Sequence, residues 1–263
     1  SVRKMMNCTI PLPSFSEQKE IAEYLDEKCG EIDALFADIK DEIETLEQYK
    51  RSVITESVTK GLNPSAPMKN SGIEWVGEIP EHWEVKRIAA FYRLLNNKVC
   101  DKDFAALSVN KLGVLPQLET VAKTDDGDNR KLVRIGDFVI NSRSDRRGSC
   151  GISNYDGSVS LINIVLEPRS VASNKYYNWL FHTEQFADEF YKWGNGIVDD
   201  LWTTRWQNMK RITIPVPPLS EQQEIAEYLC AILCMGHLWM ELNCIYFFCF
   251  VAHGCAWAFV RLS

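Results

Sequence analysis

The segment "IPVPPLSEQQEIAEYL", Ile214 to Leu229, repeats "IPLPSFSEQKEIAEYL", Ile10 to Leu25, with twelve of sixteen positions identical. The offset between the copies is 204 residues. In the first copy a stiff Pro11-x-Pro13 run precedes Ser16, a good N-cap, with Glu17 in the first turn, so a helix is expected to start there. Beyond it, apolar residues recur every seventh position at Leu25, Ile32, Ile39, Leu46 and Val53. Cys29, Phe36 and Ile43 fill the alternate seam. This heptad predicts a coiled-coil helix, roughly 60 Å long at about 1.5 Å per residue. A plain amphipathic helix in a bundle shares the pattern, but the length and strict period favour a two-helix strut. Why one helix start is written twice, and only the first is continued, is the question the rest of the sequence has to answer.

The chain has 263 residues, enough for one large domain or two modest ones, with 46% hydrophobic and 25% charged residues. Its first residue is Ser, and the short mixed opening before Pro11 and Pro13 leads to the expectation of no signal peptide. Its net charge of −7 is unevenly placed. Ser16 to Lys60 holds 13 Asp/Glu and 6 Lys/Arg, and the remainder balances at 23 against 23. A pI near 5.3 therefore leaves room for a locally basic face. The nine Cys form no regular disulfide framework, and the body reads as cytoplasmic. Cys230 and Cys234 have no second pair at ligand spacing, so no metal is expected.

Gly61, Asn63, Pro64 and Pro67 end the long helix. "SGIEWVGEIPEHWEVKRI", Ser71 to Ile88, is broken by Gly72, Gly77 and Pro80 and anchored by Trp75 and Trp83, an ordered loop leading into a domain. From Val85 to Ile214 the signals are mixed. Val139 and Ile140 are strand-like after a Gly136-Asp137 turn, and Val159 to Leu166 reads as one strand stopped by Pro168. Tyr177, Leu180, Phe181, Phe186, Phe190 and Tyr191 fall at helical spacing, with Gly194 as a stop. The fold class is α+β: a mixed domain attached to a long coiled-coil helix. After Leu229 the heptad breaks off, and the tail 230–263 carries only Glu241 and Arg261 as charges. Cys244 to Val260 is short for a membrane span and is interrupted by His253 and Gly254. A shift of reading frame near Cys230 is the preferred reading of this tail.

Two copies of one helix start flanking one α+β domain resemble the specificity subunit of type I restriction-modification systems. The likeness covers roughly residues 1–229. It is carried by the "SEQxEIAEYL" helix starts, by "GIEWVGEIPEHWEVKRI", by "GDFVINSRSDRRGSCGISNYDGSVS" and by "GNGIVDDLWTTRWQNMKRITIPVPP". In that family two target recognition domains alternate with two long helices that pair as an antiparallel ruler. The resemblance implies this division: 1–15 the end of a preceding recognition domain, 16–62 the spacer helix, 63–84 the ordered lead-in loop, 85–214 a DNA recognition domain, 215–229 the start of a second spacer. It also implies partners: double-stranded DNA, methyltransferase subunits and a restriction subunit. Lacking a complete second helix, the first is expected to pair its seam (Leu25, Ile32, Phe36, Ile39, Ile43, Leu46, Val53) with another copy or with a partner subunit.

Reading DNA needs donors and acceptors at base edges and cations at phosphates. "NSRSDRRGSCG", Asn141 to Gly151, supplies both: Arg143, Arg146 and Arg147 stand among Asn141, Ser142, Ser144 and Asp145, and Gly148 and Gly151 permit close backbone approach. By spacing alone a solvated surface turn is equally good; the resemblance points it toward DNA. "YDGSVS" adds Ser158, and "GNGIVDDLWTTRW" adds Thr204 and Arg205, with Trp202 and Trp206 read as anchors rather than base stackers. Asp199 and Asp200 lack a third carboxylate or a Lys at nuclease spacing and read as loop or cap residues. There is no methyltransferase motif, no Gly-rich cofactor loop after a strand and no Walker A motif. His82 and His182 have no Ser or Cys partner in a triad arrangement. No catalytic residue, cofactor or metal is expected. The competing reading is a coiled-coil interaction module without DNA binding.

Overall fold

The computed structural model describes residues 11–100, 102–117, 129–196 and 202–232. The tail beyond residue 232, residues 1–10, and Asp199 and Asp200 lie outside these, together with the readings attached to them. The chain divides after Ser52 into two units.

The first unit is most of helix α1, Phe15–Lys60. Its start is one turn-edge earlier than expected. Ser14, not Ser16, is the N-cap: Glu17 N–H donates to Ser14 Oγ at 3.4 Å, and Ser14 N–H donates to Glu17 Oε2 at 2.8 Å. This reciprocal capping box satisfies two helix-end donors at once. It also holds the Glu17 carboxyl below its usual range, chiefly through the Ser14 hydroxyl bond. Gln18 Nε2 donates back to Pro13 O at 2.8 Å. Leu25, Ile32, Phe36, Ile39, Ile43 and Leu46 are 45–69% exposed. Val53 departs from the expected seam. It is half-buried and packs against the core of the second unit, because the last two turns of α1 belong to that core. Val58 is fully buried and its carbonyl accepts from Tyr176 Oη at 2.7 Å.

Gly61 ends α1 at φ +78, its N–H donating to Ser57 O. The lead-in expected as a loop carries an antiparallel ribbon, β1 (Met68–Asn70) with β2 (Glu78–Pro80). The domain follows: β3 (Glu84–Arg87), β4 (Tyr92–Leu95), β5 (Lys98–Val99), β6 (Leu107–Asn110), β7 (Gly113–Pro116), β8 (Arg130–Val133), β9 (Phe138–Asn141), β10 (Cys150–Ile152), β11 (Gly157–Ser160) and β12 (Asn163–Pro168). Then come α2 (Val171–Phe181), α3 (Glu184–Lys192), the single turn α4 (Trp206–Met209), β13 (Thr213–Val216) and α5 over 219–232.

Two expected elements are each broken in two. The strand read as Val159 to Leu166 turns at Leu161 and Ile162 into β11 and β12. The helix read from Tyr177 to Tyr191 is α2 and α3, divided where Thr183 caps α3 by accepting from Phe186 N–H at 3.3 Å.

The central sheet runs β10-β9-β12-β4, antiparallel throughout, and β11-β8-β5 forms a second sheet. Both faces of the central sheet are buried, which explains its unbroken apolar runs. Phe138, Ile140, Ile164 and Leu166 join an aromatic core with Tyr92, Tyr177, Phe181, Phe186 and Phe190. Val139 and Val165 join a small aliphatic core with Leu107, Val114, Val133 and Val159. The domain's two ends meet where β13 pairs with β3. Here α5 begins: Ile225, Ala226 and Leu229 are buried, while Ile21 and Leu25, their counterparts in the first copy, are about half exposed. Gln222 Nε2 donates to Pro217 O at 2.8 Å, the same backward bond that Gln18 makes. Glu221, the counterpart of Glu17, takes different donors: Trp83 Nε1 at 3.0 Å and His82 Nε2 at 2.8 Å.

Candidate nucleic-acid interface

The Arg-rich segment is a tight turn at the end of the β9–β10 hairpin. Asn141 finishes β9, its Oδ1 accepting from Arg143 N–H at 3.1 Å, and Ser144–Arg146 form one 3-10 turn. Ser149 N–H donates to Arg146 O and Gly148 turns the chain at φ +71. A second predicted loop braces the first. Arg143 bridges antiparallel to Thr203, Ser144 N–H donates to Trp202 O at 3.1 Å, and Thr204 N–H donates to Ser142 O at 3.0 Å. Thr203 in turn bridges to Asn195. Thus two stretches more than 50 residues apart share one backbone frame.

That frame is sewn to the C-terminal end of α3. Trp202 Nε1 donates to Tyr191 O at 2.8 Å, Thr204 Oγ1 to Phe190 O at 2.8 Å, and Asn208 Nδ2 to Trp193 O at 2.7 Å. A Cβ on Gly194 would lie 2.2 Å from Trp202 Nε1, so only glycine admits the indole there. Trp202 and Trp206 are half-buried anchors.

The arginines reach outward from the frame. Arg143 Nε donates to Asp145 Oδ1 at 2.9 Å, and Arg146 Nε lies 3.6 Å from Asp145 Oδ2. Arg147 meets Asp188 Oδ1 at 2.5 Å and lies over the Tyr191 ring, 5.6 Å from its centroid. Arg205 is exposed beside them in the chain path. Residues 85–213 hold 19 Lys/Arg against 15 Asp/Glu, so the domain's balance is opposite in sign to that of α1.

Three predicted contacts are turned inward. Ser142 is buried and its hydroxyl donates to Ile162 O at 2.6 Å. Ser158 is fully buried between Phe104 O, to which it donates at 3.0 Å, and Arg130 Nε, from which it accepts at 2.8 Å. Thr204 is fully buried on Phe190 O. Each hydroxyl is committed inside the protein, so none presents itself at the surface. Gly151, read as a place of close approach, does provide one, but to the chain itself: its Cβ would lie 2.8 Å from Gly113 Cα. Asn141, Ser144, Arg143, Arg146, Arg147 and Arg205 keep some exposure. Sequence reasoning missed Asp188 and Tyr191, which reach Arg147 from α3. No local motif announces them.

Cys150 and His182 lie 3.8 Å apart, a spacing that invites a nucleophile reading. Burial opposes it. The thiol is fully enclosed, donates to Phe181 O, and is pushed well above the ordinary range of a cysteine, so the reactive thiolate is suppressed. Among the described residues no three His, Cys, Asp or Glu side chains converge as metal ligands, and no helix is long and apolar enough to cross a membrane.

A family model described as type I restriction modification DNA specificity domain matches residues 80–233. Two curated relatives from Methanocaldococcus jannaschii match. The type I restriction enzyme MjaVIII specificity subunit is 28% identical over 241 residues, covering 85% of this chain and 55% of its own length. The putative type I restriction enzyme MjaX specificity subunit is 27% identical over 243 residues, covering 87% and 53%. The chain spans about half the length of the curated relatives it matches. A solved structure from work on complex assembly and conformational transition of the type I R-M system superposes with a TM-score of 0.59 at 18% identity, covering 90% of this chain and 56% of that one, a shared fold.

Proposed function

This chain belongs to the type I restriction modification DNA specificity domain family, and from that premise we propose that it is a non-catalytic, sequence-specific DNA-binding subunit. In this reading residues 85–214 are the recognition domain and read one half of a bipartite duplex target. Residues 16–62 are the spacer, 63–84 lead into the domain, 215–229 open a second spacer, and 1–15 close a preceding domain. The observation that carries the reading is the arginine turn: three guanidinium groups on one 3-10 turn and its flank, braced by backbone bonds from the segment around Thr203. Such a fixed cationic edge suits bidentate contact with guanine and charge contact with phosphates.

The long helix supplies the assembly function. Its exposed apolar seam, Leu25 through Leu46, is suited to pair with another copy or with methyltransferase subunits, which the domain would carry to its site for a restriction subunit to join. The complex would work in the cytoplasm, where its duplex target is, with no cofactor bound by this chain.

Co-expression with a methyltransferase of the same system, followed by genome-wide mapping of methylated bases, tests the proposal. Methylation confined to one recurrent sequence supports it. Methylation that ignores the presence of this chain, while the chain still co-purifies with the methyltransferase, sinks the recognition role and leaves the interaction module.

A further inference from the structure

Asp145 occupies the centre of the turn Ser144–Arg146 and divides its carboxylate between two arginines. Oδ1 accepts from Arg143 Nε at 2.9 Å and Oδ2 faces Arg146 Nε at 3.6 Å. Both contacts are made at Nε. The Nη1/Nη2 edge of each guanidinium, the edge that fits guanine O6 and N7, therefore points away from the carboxylate. The backbone beneath is fixed independently: Arg143 N–H is held by Asn141 Oδ1, Ser144 N–H by Trp202 O, and Arg146 N–H by Arg143 O.

A carboxylate in a turn that meets phosphate is costly for binding. It repels the backbone and cancels part of the local cationic charge. Nor does the fold explain it, since Asp145, Arg143 and Arg146 are 40–66% exposed at their side chains and exposed pairs contribute little to stability. What the carboxylate does achieve is order. Arg143, which would otherwise sample many rotamers, is hydrogen-bonded at the base of its charged group, and Arg146 is drawn to the same carboxylate by charge alone, so part of the ordering cost falls before DNA arrives.

We infer that Asp145 is a positioning residue that determines specificity: it holds Arg143 and Arg146 in one presentation, giving up general phosphate affinity for base discrimination. The inference rests on reading the domain as DNA-binding.

The test uses the full chain and a duplex library with a randomised centre. Bound duplexes are sequenced, and the enriched duplex and a scrambled one are then titrated with the wild type, Asp145→Asn and Asp145→Glu. Asp145→Asn is expected to bind the scrambled duplex about threefold more tightly and to lose about tenfold in the ratio between the two duplexes. Asp145→Glu, which keeps the charge, should recover most of that ratio. Thermal unfolding is measured alongside; should Asp145→Asn lower the midpoint, Asp145→Ser is read in its place by the same criteria. An unchanged ratio, or an equal loss on both duplexes, overturns the inference while DNA binding stands. A wild type that binds duplex but enriches no sequence overturns it as well. A wild type that retains no duplex at all overturns the DNA reading and the inference together.

Discussion

Arg147 is held on two sides, by the Asp188 carboxylate and by the face of Tyr191. Arg143 and Arg146 share one acid. Substituting any one of the three with Ala is expected to weaken duplex binding about tenfold and to lower the salt slope by about one, as read by anisotropy titrations at several salt concentrations. Unchanged binding in all three variants would remove the turn from the interface. A second residue-scale expectation concerns pH. Asp156 Oδ1 accepts from Ile135 N–H at 2.9 Å and Oδ2 from Arg134 Nη1 at 3.1 Å. The backbone bond from Ile135 first, and Arg134 after it, hold this carboxyl below its usual range. A depressed acid stabilises the fold above its unfolded pKa, and that contribution is lost as pH falls through the folded value. Asp156→Asn should therefore lower the thermal midpoint at neutral pH. The gap should close as pH drops below about 4. A gap that persists in acid would assign the effect to packing. At this scale the exposed arginine turn was legible in the sequence as a loop-like run, because guanidinium groups crowded beside small polar residues and glycine are a compositional signal. Ser142, Ser158 and Thr204 were not, because the carbonyls that take their hydroxyls lie 20, 54 and 14 residues away.

The start of α1 shows what a repeated element keeps and what it exchanges. Both copies keep the backward Gln-to-Pro bond, at Gln18 and Gln222. The glutamate is exchanged: Glu17 closes a capping box on Ser14, whereas Pro218 stands at the second site and Glu221 turns to Trp83 and His82. Ser14→Ala should cost the first turn of α1 about 1 kcal/mol. Amide exchange at residues 15–18 should quicken accordingly, with the domain's core amides unchanged; exchange equal to wild type would deny the cap. The helix itself was legible from its heptad, but its cap was not, because two serines compete and only geometry chooses between them. Likewise Val53 obeys the heptad yet packs into the domain core, since periodicity states which face is apolar and not what covers it. The missed breaks have different causes: Leu161 and Ile162 are apolar yet exposed at a turn, and the helical spacing of aromatic residues runs on across Thr183 although that residue caps a new helix.

For the molecule as a whole, the mixed class was legible because strand-like runs and helical spacing are interleaved along one domain. The pairing of β3 with β13, which closes the domain, was not, since its strands stand at opposite ends of that domain. The exposed seam carries a prediction at this scale. In sedimentation velocity the chain should run larger than its 30.2 kDa, and a variant carrying Phe36→Glu and Ile43→Glu should fall back to that mass. If both run at the monomer mass, self-pairing through α1 is wrong and the seam awaits a different protein.

Gly61 leaves room for a hydrogen and nothing more. A methyl there would meet Glu221 Oε1 at 2.8 Å and the Trp83 indole at 3.2 Å. One helix thus stops, and another starts, against the same indole. The consequence is a clasp whose two jaws are far apart in sequence: the end of α1 and the start of α5 both rest on Trp83, so a side chain larger than hydrogen at Gly61 would crowd the root of both helices at once.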